Sequence, residues 1–323
     1  MLLATLALAL SPPAARLDLR SSPFIDLHFW VRHLAADPGG IVQAQPILDA
    51  VAVAAELDHE LGGPLAWGPI EGLFGDCRTA KDALAVLEKL PETFEARPGR
   101  NVELRQGARR LVESLAVAEP GFLETVWPEH RTAIDAARKR IEAGFSPRAE
   151  ACLAYVAECL VLAPSDLAIP VHLVFDSPFP GAVTQRDDEG HGVCFVGIQG
   201  LEGTQLFEVI LHEATHALDL ATKEGSVLDE LRSRLEQAGF TRRDREWRDV
   251  PHTLMFVQAG ETIRRKVDPK HEHYGVVARY YDKVRTIADV ELPAWIDHLD
   301  GKSTREEAIA RIVAGAQAAA KSR

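Results

Sequence analysis

From about residue 20 to residue 165, apolar residues recur every three to four positions. Ile25, Leu27, Trp30, Val31 and Leu34 mark the first stripe, and similar patterns run over 46–61, 81–90, 105–117, 130–143 and 147–162. That period puts the apolar side chains on one face of a helix, so the segment reads as helix after helix. Proline and glycine separate the stripes at Pro38-Gly39-Gly40, Gly62-Gly63-Pro64, Pro98-Gly99, Pro120-Gly121 and Pro164.

Beyond Pro164 the pattern changes to short, β-branched runs at 169–176, 181–186 and 192–198. Three strands so close together predict a small antiparallel sheet. Helical periodicity then returns at 204–222, where Thr204 is placed to cap, and continues at 226–238, 251–267, 274–287 and 304–320. Ser226 to Asp229 and Ser303 to Glu306 have the spacing of capping boxes. The expected fold is therefore α+β and predominantly helical, with a helical region over 19–165 and a second region over 166–323 that opens on the sheet.

Composition adds exclusions. A chain of 323 residues with 46% hydrophobic and 26% charged positions is globular, not disordered or fibrous. Its net charge of -12 argues against a partner held through phosphate contacts, such as a nucleic acid. The apolar run from Met1 to Leu10 is too short to span a bilayer. Followed by Ser11-Pro12-Pro13, it makes residues 1–18 a candidate signal peptide, although its start lacks positive charge. An exported, periplasmic or secreted protein is the expectation, with the cytoplasm as the alternative. The four cysteines form no CxxC pair, which gives no sign of a thiolate zinc site.

The helix beginning near Thr204 carries His212-Glu213-Ala214-Thr215-His216. At 3.6 residues per turn the two histidines lie about 40° apart on one face, where two imidazoles can bind one Zn²⁺. Glu213 points about 100° aside, toward a water at an open coordination position, and can take its proton. Leu206, Phe207, Ile210, Leu211, Ala214, Ala217 and Leu218 occupy the remaining face, which predicts that the helix packs on one side and presents its ligands on the other. Asp219 falls about 20° from His212 and is placed to accept the second ring N–H of a ligand histidine.

These residues, with strands before the helix and helices after it, make residues 166–290 resemble the zincin metallopeptidases. The resemblance implies a zinc on His212 and His216, Glu213 as general base, hydrolysis of a peptide or protein substrate, and an edge strand that pairs with that substrate. Gly192 to Ile198, nearest the helix in sequence, is the candidate edge strand. Metzincins place Gly and His after the second histidine, where this chain has Asp219 and Thr222, and the aspzincin pattern is only echoed in His271-Glu272-His273-Tyr274-Gly275. A gluzincin-like arrangement fits better. It makes Glu261, beside Gly260 on a later helix, the expected third ligand, with His252 on the same stretch as its rival. The two are about half a turn out of phase and cannot both ligate from one straight helix. The resemblance also calls for a residue that stabilises an oxyanion, and Tyr274, His273 and His271 are the candidates. An inactive zincin-like binding scaffold and a non-peptide zinc hydrolase use the same motif residues. His28 and His33, five residues apart, read as packing and not as ligands.

Overall fold

Arg16-Leu17-Asp18-Leu19-Arg20 alternates polar and apolar residues, the period of a strand with one packed face, and forms β1 (Arg16–Arg20). The computed structural model describes residues 15–37, 44–97, 100–163, 167–178 and 181–321. Most of the candidate signal peptide, residues 1–14, lies outside the described residues, while Arg16 to Asp18, also assigned to it, belong to β1.

After β1 come α1 (Pro23–Ala36), α2 (Gln45–Leu61), α3 (Gly68–Phe74) and α4 (Ala80–Val86). An antiparallel pair follows, β2 (Phe94–Arg97) with β3 (Arg100–Val102), which the helical reading of this region did not foresee. Next are α5 (Leu104–Thr125), α6 (Trp127–Gly144) and α7 (Ser146–Leu160), then the strands β4 (Ala168–Val174), β5 (Ala182–Arg186) and β6 (Gly192–Gly197). Then follow α8 (Gly203–Ala221), α9 (Val227–Gln237), α10 (Arg245–Lys266), α11 (Tyr274–Val277), α12 (Tyr280–Lys283), α13 (Arg285–Leu299) and α14 (Arg305–Lys321). Among the described residues no helix is long and apolar enough to cross a membrane.

Several boundaries differ from the sequence expectation. α5 runs through Pro120 and α10 begins six residues before Pro251, so neither proline ends or starts its helix. Ser226 and Asp229 form the expected capping box. The box of the last helix joins Thr304 to Glu307, one residue beyond the pair expected. Thr204 does not cap α8; its hydroxyl pairs with His271 Nδ1 at 2.8 Å.

The main sheet is mixed, in the order β1-β4-β6-β5. β1 and β6 both lie parallel to β4, and only β5 runs antiparallel to its neighbour β6. The expected antiparallel trio is thus corrected. The chain reverses between β4 and β5 and again at the hairpin closed by Asp187 N–H to the His191 carbonyl (2.9 Å), and two reversals return β6 to the direction of β4. A second correction follows: β6 is interior, and the edge strands are β1 and β5, of which β5 lies against α8.

The two sheet faces serve two cores. Ile169, Val171, Leu173, Cys194 and Val196 face one, which holds the apolar residues of α6, α7, α8 and α10. Val174, Val193 and Phe195 face the other, built by α1, α2, α3 and α5. The core therefore divides at the sheet and not at Pro164, because α6 and α7 pack with the HExxH helix. His28 is buried among Phe29, Trp67 and Phe74, and His33 pairs with Asp176 at 3.1 Å.

Two close approaches fix β5 and α8. α3 meets the Arg186 end of β5, where a Cβ on Gly72 would stand 1.9 Å from the Arg186 carbonyl oxygen. There Gln185 donates to Glu71 (2.9 Å), which is also paired with Arg32. On the other side, a Cβ on Gly192 would lie 2.6 Å from Ala217 Cα of α8. Backbone cannot yield there as a flexible side chain could, so Gly192→Ala is expected to cost about 1–3 kcal/mol of unfolding free energy. Urea denaturation measures it, and a variant as stable as the wild type would contradict the tight seating of α8.

Candidate metal centre

α8 lies against β5 and β6 with its apolar stripe in the core and presents His212 and His216 toward α10. α10 supplies His252. His212 Nε2 is 3.2 Å from His216 Nε2 and 3.2 Å from His252 Nε2, and the three donor atoms lie within 4.8 Å of one another. His212 is buried; His216 and His252 are partly exposed, which leaves the centre open on one side. Tetrahedral zinc with nitrogen ligands at about 2.0–2.1 Å separates those nitrogens by about 3.3 Å, close to the two 3.2 Å spacings from His212.

Electrostatics favour the same use. Burial, reinforced by the other two rings, holds His212 well below the ordinary histidine range; burial lowers His216 to about 3 and His252 to about 4. All three rings are neutral at pH 7 and offer lone pairs. His212 Nε2 cannot donate to both neighbours, since a neutral ring carries one proton, whereas a single cation satisfies all three nitrogens. The residues present therefore fit a zinc ion.

Rings and a hydroxyl hold His212 and His252 in place. Phe256, one turn beyond His252, stacks on the His212 ring at 3.8 Å and on Tyr280 at 4.5 Å. His252 Nδ1 is 3.1 Å from Tyr280 Oη. With a metal on Nε2 the ring proton would sit on Nδ1 and be donated to the Tyr280 hydroxyl, which burial keeps protonated. His212 Nδ1 is turned toward the Met255 backbone without a hydrogen bond of normal geometry.

Glu213 lies beside the centre, 5% exposed. Burial raises its carboxyl to about 7, against the opposing effect of a hydrogen bond from the Thr184 hydroxyl at 2.7 Å. It shares a cleft of about 100 Å³ with His212, His252, Tyr274, Ala182 and Phe256. A larger concavity, near 540 Å³, opens elsewhere around Arg20, Asp76 and Lys89 and contains none of these groups.

The structure thus brings His212, Glu213, His216 and Tyr274 into one neighbourhood and leaves Glu261 out. Glu261 stands nine residues after His252, about half a helical turn out of phase, and accepts from Arg264 (2.8 and 2.6 Å) and Arg265 (2.9 Å) and pairs with His273 (3.1 Å). Burial disfavours its ionised form, but His273 and the two arginines outweigh that and lower its carboxyl to about 2. Gly260 does not ease an approach to a metal; it makes room for the His273 ring, 2.6 Å from where its Cβ would be. The third donor in reach is His252. Asp219 meets Arg232 at 3.0 Å and not a histidine ring.

Of the oxyanion candidates, His271 is buried and pairs with Glu208 at 2.5 Å, and His273 is committed to Glu261. Tyr274 lines the cleft, and its backbone N–H donates to Glu208 at 2.7 Å. Sequence reasoning missed Thr184, Tyr280 and Phe256. Thr184 sits in a segment read as a strand, but no spacing tied it to a motif 29 residues further on. Comparison of the chain with family models, curated proteins and solved structures returned no match.

Proposed function

We propose that the chain is a zinc-dependent metallopeptidase of zincin-like chemistry, in which His212, His216 and His252 hold the metal and Glu213 is the general base. The observation that carries this reading is the convergence of three neutral imidazole nitrogens, two of whose rings, His212 and His252, line one cleft with the buried Glu213 carboxyl. A zinc ion held there would act as a Lewis acid on a carbonyl and would acidify water in the cleft.

The chain's own residues supply the rest. Glu213, buried in the cleft wall beside His212 and His252, accepts the proton of the attacking water and returns it to the leaving amine. Tyr274 is the hydroxyl on the cleft wall available to the developing oxyanion. Peptide is favoured as substrate because β5 is an edge strand whose Ala182 end lines the cleft, and edge strands pair with extended chains through backbone groups. α3 closes the other end of β5 at Arg186, so the pairing stretch is short.

Hydrolysis of a fluorogenic peptide library is expected to stop on treatment with a chelator and to return with one equivalent of zinc per chain. Stoichiometric zinc without turnover of any peptide would favour a binding scaffold or a non-peptide hydrolase, and a chain that takes up no zinc would remove the metal reading altogether.

A further inference from the structure

The geometry points to Thr184 as the positioning residue of the Glu213 base: its hydroxyl pins one carboxylate oxygen to the edge strand and turns the other into the cleft. The inference rests on the metallopeptidase reading for its consequence, but the contact itself belongs to the fold. Thr184 Oγ1 lies 2.7 Å from Glu213 Oε2 and 2.9 Å from the Glu213 carbonyl oxygen. Among the described residues no other side chain is hydrogen-bonded to this carboxylate, and Glu213 itself lines the cleft.

Packing explains why the hydroxyl aims there. Thr184 pairs with Cys194 across the β5–β6 ladder, and its hydroxyl is 3.5 Å from the Cys194 sulfur. A Cβ on Gly192 would lie 3.3 Å from the Thr184 methyl and 2.6 Å from Ala217, so α8, β6 and the methyl meet closely where glycine leaves room. A β-branched side chain has few χ1 choices. With the methyl lodged in that contact, the hydroxyl is directed at the helix that carries Glu213. A hydrogen bond to a carboxylate is worth more than a neutral one and fixes a rotamer that a lone buried glutamate would otherwise sample. The base is therefore oriented from a strand, while His212 and His252 are held by Phe256 of α10 and Tyr280 of α12.

The test uses the full chain with three variants. Thr184→Val removes the hydroxyl and keeps the shape; Thr184→Ser keeps the hydroxyl; Thr184→Ala removes both. With zinc loaded and a fluorogenic peptide as probe, Thr184→Val is expected to lose about tenfold to a hundredfold in kcat with little change in KM, and Thr184→Ser to recover most of it. Zinc stoichiometry stays at that of the wild type in both. A second readout needs no turnover: in metal-free protein labelled with ¹³Cδ-glutamate, the resonance that vanishes in Glu213→Gln shifts in Thr184→Val and not in Thr184→Ser. If Thr184→Val does not fold, Thr184→Ser against Thr184→Ala decides by the same two readouts. Equal activity of the hydroxyl-bearing and hydroxyl-free variants, or an unmoved carboxyl resonance, overturns the role of Thr184 while leaving the metallopeptidase reading intact. A fully active Glu213→Gln overturns that reading and the catalytic consequence with it.

Discussion

Replacing His252 by alanine is expected to weaken zinc binding by about two to three orders of magnitude, whereas Glu261→Gln leaves it within about twofold. This follows from the about 10–16 kcal/mol with which small protein sites hold zinc through four ligands, or about 2.5–4 kcal/mol for each. His252 is one of three converging nitrogens, and its neutral ring, held by Tyr280, needs no proton removed before it binds. Glu261 is ionised but saturated by Arg264, Arg265 and His273, so using it would break those pairs. Competition with a chromophoric chelator gives both constants. A site that survives loss of His252 and fails with loss of Glu261 would contradict the tripod.

The second large effect concerns Glu213. Glu213→Gln keeps the side chain's shape and leaves the three ring nitrogens untouched, so zinc is retained while kcat falls by about 10²–10⁴-fold, the usual loss on removing a general base. The same substitution has a signature in the metal-free protein. Burial raises the folded carboxyl from an ordinary 4.5 to about 7, so the unfolded chain releases its proton first as pH rises. The native state then binds more protons than the unfolded one, and this group subtracts stability increasingly from pH 4.5 to about 7, with a plateau above. By the usual 1.36 kcal/mol per pH unit the full penalty is about 3 kcal/mol. Glu213→Gln is therefore expected to be more stable than wild type at pH 8 and to lose that advantage near pH 4.5, as read from urea unfolding at each pH. An advantage that grows as pH falls would show that the carboxyl is not held in the neutral form by burial.

How far the sequence carried this picture depended on range. His212, Glu213 and His216 were legible because their relation is contained in one helical turn, and the apolar residues around them gave the packed face of α8. The strands β4, β5 and β6 were legible as segments, but their order was not, because pairing depends on which edges meet in space. β1 was missed for the same reason: its five residues lie beside a run that resembles a leader, and their partner is β4. His252 against Glu261 was open in the sequence, since both fall on α10 and only its rotation about its own axis decides which side faces α8. Glycine beside Glu261 suggested an approach to metal, when the ring it accommodates is that of His273. Thr184 and Tyr280 act across elements, where no period or spacing reports them.

The pairing of β1 with β4 bears on how the molecule assembles. It joins positions roughly 150 residues apart in parallel register, so the sheet closes only after a large loop entropy has been met. β4 separates β1 from β6, and β6 in turn supports β5 and the seat of α8 at Gly192. The strand that precedes α1 thus connects to α8 through β4 and β6. During synthesis the helices of the first core emerge long before β4 exists, and β1 must wait for it with Leu17 and Leu19 uncovered. A late, slow folding phase that completes the sheet and seats α8 together is the kinetic counterpart of this topology.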